Sequence, residues 1–185
     1  KGLAIMPMKF TSDTEWMDAL SEVAQYGAER MKEVALHTHC NTASELSTWT
    51  LRAMKTVSAT GIRVRNQSVL ISSVNDGFAS LHSTMRKLSH LLIEPYYVYL
   101  HDLVPACEHL RTTVRQAEEL SLRLQGSMAG FNTPRVVCDA PGGGGKRDIS
   151  SYLAYDEEIG ISAWTSPTAK PGKIFYYYDP IHQLP

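Results

Sequence analysis

No run of apolar residues in this chain approaches the ~20 needed to cross a bilayer, and no charged-then-apolar leader pattern opens it. The sequence therefore reads as that of an intracellular, cytoplasmic protein with no membrane partner. Charge of one sign is not in excess either. A formal net charge of -1 gives no reason to expect nucleic acid or an anionic surface as a partner. Cysteine is scarce, and Cys40, Cys107 and Cys138 lie too far apart for a local metal clip. They do not make a disulfide framework, so buried reduced thiols are expected. Internal repeats are absent, and the one low-complexity segment is a glycine run. At 185 residues the chain is long enough for one core but short of the ~250 residues of a complete (β/α)8 barrel.

What is present alternates between two periodicities. Thr11-Ser12-Asp13-Thr14 offers a helix N-cap, and Trp16, Leu20, Val23, Ala24 and Met31 follow at mostly helical spacing. Glu33 to His39 reads as a short core strand. Residues 42 to 60 read as a helix burying Leu46, Trp49, Ala53, Met54 and Val57. Ile62 to Ile71 is a second strand, Phe78 to Leu92 a helix, Ile93 to Leu100 a third strand and Thr112 to Leu124 a helix. This cadence means parallel βα units, an α/β fold. Beyond residue 146 the pattern changes to short strands at Ser151-Leu153, Gly160-Trp164 and Lys173-Tyr178, separated by turn residues. The apolar run from Leu3 to Met8 precedes all of these.

The costliest stretch is Cys138-Asp139-Ala140-Pro141-Gly142-Gly143-Gly144-Gly145-Lys146. Four successive glycines are entropically expensive to order, which suggests a backbone that must approach something closely. Arg135-Val136-Val137 leads in as a strand, so the loop sits at a strand's carboxyl end, where α/β proteins place their chemistry. It is not a Walker phosphate loop: the required first glycine is Ala140 and the Ser or Thr after the lysine is Arg147. A desolvated lysine on a flexible glycine arm suits covalent capture of an aldehyde such as pyridoxal phosphate. A solvated linker ending in the basic pair Lys146-Arg147 is the alternative.

Asp139 to Lys146, with the blocks Arg65-Asn66-Gln67-Ser68-Val69-Leu70, Pro95-Tyr96-Tyr97-Val98-Tyr99 and Glu108-His109-Leu110-Arg111-Thr112, resembles the lysine 2,3-aminomutase family in register from about His37 to Lys146. The resemblance implies a radical enzyme using S-adenosylmethionine, a [4Fe-4S] cluster and pyridoxal phosphate. Its fold would be a partial TIM-like (β/α)6 barrel, with residues 1–146 as the carboxyl-terminal part and 147–185 as an antiparallel β extension. On the family pattern, Lys146 is the catalytic lysine that binds pyridoxal phosphate. Tyr99 packs on that cofactor, and Gln67 and His39 line the S-adenosylmethionine site. Asp102 and Asp139 would bind the ε-ammonium of a lysine-like amino acid, a discrimination that works because a neutral tail would leave both acids unpaired. Taken without the family, the two acids could be caps, Tyr99 a core aromatic and His39 a satisfied strand histidine.

The implied activity is transfer of the α-amino group of L-lysine to the neighbouring carbon, giving β-lysine, by way of a 5′-deoxyadenosyl radical. Free arginine or a protein-borne lysine fits the same pair of acids. A non-catalytic module binding pyridoxal phosphate or an amino acid is the reading from another class. The family's C-x3-C-x2-C cluster motif is missing from these residues, and Gly77 stands where some members carry a zinc cysteine. No zinc is expected here. The cluster ligands and the arginines gripping the substrate carboxylate and cofactor phosphate would precede Lys1. The stretch alone is expected to be inactive, and the full-length enzyme to form a homo-oligomer.

Overall fold

The computed structural model describes residues 12–168 and 170–185; the apolar run from Leu3 to Met8 lies outside them. The first helix, α1 (Thr14–Ala28), starts where the Asp13 carboxylate accepts the Trp16 N–H at 3.2 Å. Gly27 lets the return to the sheet pass close by, since a Cβ there would sit 2.8 Å from Val34 Cγ2. Strand β1 (Ala35–Thr38) follows. Helix α2 (Thr48–Ser58) opens with a reciprocal cap between Ser47 and Thr50. Then come β2 (Arg63–Val69), α3 (Phe78–His90), β3 (Ile93–Tyr99), α4 (Val114–Leu124) and β4 (Arg135–Ala140).

Trp49, assigned inward by its spacing, faces out, and so does Met31, whose spacing only continues the helical pattern of the first helix. Trp49 is 56% exposed and Met31 95%. On α2, Ala53, Met54 and Val57 already fill the stripe against the sheet, which leaves Trp49 on the flank with the Arg52 guanidinium 4.7 Å from its ring. Met31 occupies the left-handed turn after α1, at φ 52°. Trp16 and Val23 are also about half exposed, so Leu20 is the main inward residue of α1.

Strands β1 to β4 pair in parallel in sequence order, and β5 (Gly145–Asp148) closes the sheet antiparallel to β4. The fold is thus α/β with a mixed, mainly parallel sheet. In β2 the alternation is strict: Val64, Asn66 and Ser68 are buried, while Arg65, Gln67 and Val69 turn to the opposite face. The β2–β3 register breaks between Asn66 and Gln67, opposite Pro95 and Tyr97. Pro95 has no N–H to give the ladder, and a bulge accommodates it inside a central strand. One consequence is that Tyr96 and Tyr97 are both half-buried, with ring centroids 4.0 Å apart.

A second, antiparallel sheet consists of β6 (Ala154–Asp156), β7 (Ile161–Ser166) and β8 (Lys170–Tyr178). Its Trp164, Phe175 and Tyr177 belong to the same buried cluster as Val98, Val136, Cys138, Ala140 and Ile149. Asp179, just past β8, is 5% exposed and caps α4 by accepting the Val114 N–H at 2.9 Å. No helix among the described residues is long and apolar enough to cross a membrane.

Candidate functional site

Buried amides hold the carboxyl ends of the strands in place. Asn66, 1% exposed, accepts from Cys40 N at 2.8 Å and Thr38 Oγ1 at 2.9 Å. It donates to Cys40 O and Ser68 Oγ, both at 2.9 Å. Asn75 does the same for the loop after β2, accepting from Ile71 N at 2.7 Å and donating to Asn41 O and Val69 O. Every polar atom of these two side chains is used, which is what allows them inside the protein. They fix the segment carrying His39. The alternation of polar residues within Arg65-Asn66-Gln67-Ser68 was the signal for such a clamp, and reading that block only as a family signature passes over it.

The glycine run is a tight hairpin between β4 and β5. Gly142, Gly143 and Gly145 have φ of 80°, 88° and 75°, the left-handed region that a side chain resists. Gly144 answers a different demand: a Cβ there would lie 2.6 Å from Ala140 Cβ and 2.8 Å from Phe175 Cγ. The close approach expected from the sequence is therefore made, against the protein's own β8. The flexible arm is not what is seen. Lys146 stands on β5, directly across the ladder from Asp139. Cross-strand partners project to the same face of a sheet, so the amine and the carboxylate share one side.

That side faces a cleft of about 380 Å³ lined by His39, Gln67, Tyr99, Asp102, Asp139 and Lys146, together with Val69, Leu100, His101 and Val104. The sequence-derived candidates thus come together, although they lie on four strands, β2 to β5, and on two loops. Gln67 and Tyr99 are half-buried; His39, Asp102, Asp139 and Lys146 are exposed at the rim. Lys146 Nζ is 5.6 Å from the Tyr99 ring centroid, and Tyr99 OH donates to Gln67 Oε1 at 3.5 Å. Burial pushes the Tyr99 phenol above its ordinary value, with the Lys146 ammonium pulling it back. The phenol is therefore a neutral donor at physiological pH.

A second recess of about 340 Å³ shares Gln67, Tyr99 and Lys146 and adds His37, Tyr96 and Tyr97. Lys146 thus stands between an acidic chamber and an aromatic one. A recess of about 450 Å³ lies at the other end of the strands, among Ser21, Lys32, Glu33 and Arg63. The carboxyl ends are where parallel sheets present their chemistry, and the candidate residues converge there.

The donor set suits pyridoxal phosphate: a primary amine beside a tyrosine face, with Asp139 next to it on the neighbouring strand and Asp102 at the rim. It does not suit an iron–sulfur cluster. Among the described residues no group of His, Cys, Asp and Glu side chains is arranged to hold a metal. The three cysteines are free and separate; burial pushes the Cys40 thiol up to about 11 and the Cys138 thiol up to about 12. Neither is a thiolate at neutral pH.

No family model matches the chain. Curated proteins do. The chain is 38% identical over 116 residues to an L-lysine 2,3-aminomutase of Clostridium subterminale, a match covering 63% of this chain and 28% of that protein. It is 39% identical over 111 residues to the enzyme so named in Methanococcus maripaludis (60% and 26%). With that of Bacillus subtilis it shares 35% over 113 residues (61% and 24%). The chain thus matches about a quarter of the length of these relatives.

Proposed function

We propose that this chain, which over the matched stretch is similar to L-lysine 2,3-aminomutases, is a member of that family and supplies the amine-handling and substrate-reading part of an aminomutase, an isomerase acting on a cationic α-amino acid. We read the β1–β4 arc as part of a (β/α)6 barrel of the radical S-adenosylmethionine type. The observation that carries the proposal is the convergence of Lys146, Tyr99, Asp102 and Asp139 on one cleft.

Lys146 would hold pyridoxal phosphate through its side-chain nitrogen, with the Tyr99 ring against the cofactor. When bound, that cofactor supplies a conjugated ring able to delocalise an unpaired electron while an amino group moves between adjacent carbons. The chain's own residues do the rest. Asp102 and Asp139 pair with the substrate's distal cation and set its reach into the cleft, so that the α-carbon end lies toward Lys146. Gln67 accepts from Tyr99 and so fixes the orientation of the phenol. Gln67 and His39 would meet S-adenosylmethionine at the cleft rim. The described residues do not fit a [4Fe-4S] cluster. The substrate is a small amino acid, L-lysine before arginine, a preference supported by the activity named for the relatives.

The test uses the intact gene product, reconstituted anaerobically with iron, sulfide and both organic cofactors. It should convert L-lysine to β-lysine. Asp102→Asn and Asp139→Asn should each lower kcat/KM for lysine by at least ~30-fold, the cost of leaving a charge without its partner. Turnover of arginine or of a lysine-bearing peptide in place of free lysine would overturn the substrate assignment. Absence of any 2,3-amino shift would overturn the activity.

A further inference from the structure

Asp102 belongs to a long irregular segment between Tyr99 and Val114, whose only regular element is the 3-10 turn Glu108–Leu110. A carboxylate that reads a substrate needs its backbone held. Locally, Leu100 N donates to Val137 O and Val104 N to Asp102 O, each at 2.8 Å; a further brace comes from the far end of the chain. Tyr177 on β8 is 1% exposed and sits in the core. Its hydroxyl donates to the carbonyl of His101, the residue before Asp102, at 2.7 Å. The Arg111 guanidinium lies 5.3 Å from the Tyr177 ring centroid and donates to the Tyr178 carbonyl. Further along, Ile181 N donates to Glu108 Oε1 at 2.8 Å, and Gln183 Nε2 to the Arg111 carbonyl at 2.9 Å and to Ser72 Oγ at 3.0 Å. Residues 177 to 183 therefore tie down the segment at its start and at its end.

We propose that Tyr177 is a positioning residue for the cleft, its hydroxyl holding the His101–Asp102 backbone so that the Asp102 carboxylate faces the distal cation of the substrate. The inference rests on the reading of Asp102 given above. Tyr177 touches no reacting group and acts only through His101. The other ties from the C-terminal segment reach Glu108 and Arg111, several residues from the carboxylate, so of these ties the bond at His101 is the one beside it. Burial keeps the Tyr177 phenol protonated, raising it well above its usual range against the pull of Arg111. The donor is thus present at neutral pH.

Tyr177→Phe removes one O–H and keeps the ring. In the intact enzyme, amide hydrogen exchange at residues 101–104 should rise while β2 and β4 are unchanged. KM for lysine should rise about three- to ten-fold, the size expected when binding must order a side chain that was held beforehand, with kcat altered less than about two-fold. Combined with Asp102→Asn, the Tyr177→Phe effect on KM should vanish, since both act through one contact. Gln183→Ala, which cuts the tie at Arg111 and leaves the one at His101, should leave KM at its wild-type value. An unchanged KM in Tyr177→Phe, full additivity with Asp102→Asn, or an equal rise in Gln183→Ala would each overturn the proposal. Were Asp102→Asn itself without effect on lysine KM, the reading of Asp102 would fall and this inference with it. If Asp102→Asn raises KM and Tyr177→Phe does not, the brace alone is wrong.

Discussion

Replacing Gly144 with alanine adds one methyl group where the structure has no room for it. The added Cβ would lie 2.6 Å from Ala140 Cβ and 2.8 and 2.9 Å from Cγ and Cδ2 of Phe175. Neither neighbour can yield cheaply: Ala140 Cβ is fixed to the β4 backbone, and Phe175, 2% exposed, is wedged in the core. The hairpin must therefore shift off β8. Overpacking of this kind costs about 1–3 kcal/mol, and contact with two fixed groups argues for the upper end. For a chain of this size that lowers Tm by on the order of 5–10 °C. Gly145→Ala is the matched comparison. Its Cβ would meet nothing within 4 Å, but φ is +75°, so its cost is the left-handed strain of about 1–2 kcal/mol with no displacement of β5. Urea and thermal unfolding measure both. Gly144→Ala should be the less stable of the two, and should disturb the Asp139–Lys146 pairing where Gly145→Ala does not. Equal stability of Gly144→Ala and wild type would refute the packing argument.

Asn66→Ala should lower stability by about 3 kcal/mol or more in chemical denaturation, because it strands buried donors and acceptors at Thr38, Cys40 and Ser68 together; a loss within the ordinary surface range would mean the clamp is dispensable. Asp179 gives a pH signature. Burial raises its carboxyl above the ordinary Asp value, opposed by Tyr155, the Val114 N–H and Arg111. The folded protein therefore holds this proton where the unfolded chain has released it, so Asp179 contributes stability that falls as pH rises above about 3.9. Asp179→Asn should flatten that slope in unfolding midpoints measured across the acid range, and an unaltered slope would show that another group is responsible.

The elements that follow one period throughout were legible in the sequence. In α4, Val114, Leu120 and Leu124 point inward as their spacing says, and the parallel cadence from residue 35 to residue 140 follows from strands alternating with helices. Trp49 misled because an apolar side chain does not say which flank of a helix the sheet will cover. The carboxylate, amine and phenol of the cleft could be named through family resemblance, but not their grouping, which depends on β5 turning back along β4. The meaning of the glycines was half legible. That the backbone approaches something closely follows from their number, whereas the partner, Phe175, lies some thirty residues on in sequence. The Tyr177 brace carries no local signal, since a hydrogen bond between residues 76 positions apart exists only once both sheets have packed.

The most direct measurement is the site of covalent capture. With the intact protein loaded with pyridoxal phosphate, borohydride reduction followed by peptide mapping should place the label on Lys146, and Lys146→Arg should abolish it while leaving the fold's circular dichroism unchanged. A label on Lys170, Lys173 or any other lysine would contradict the account.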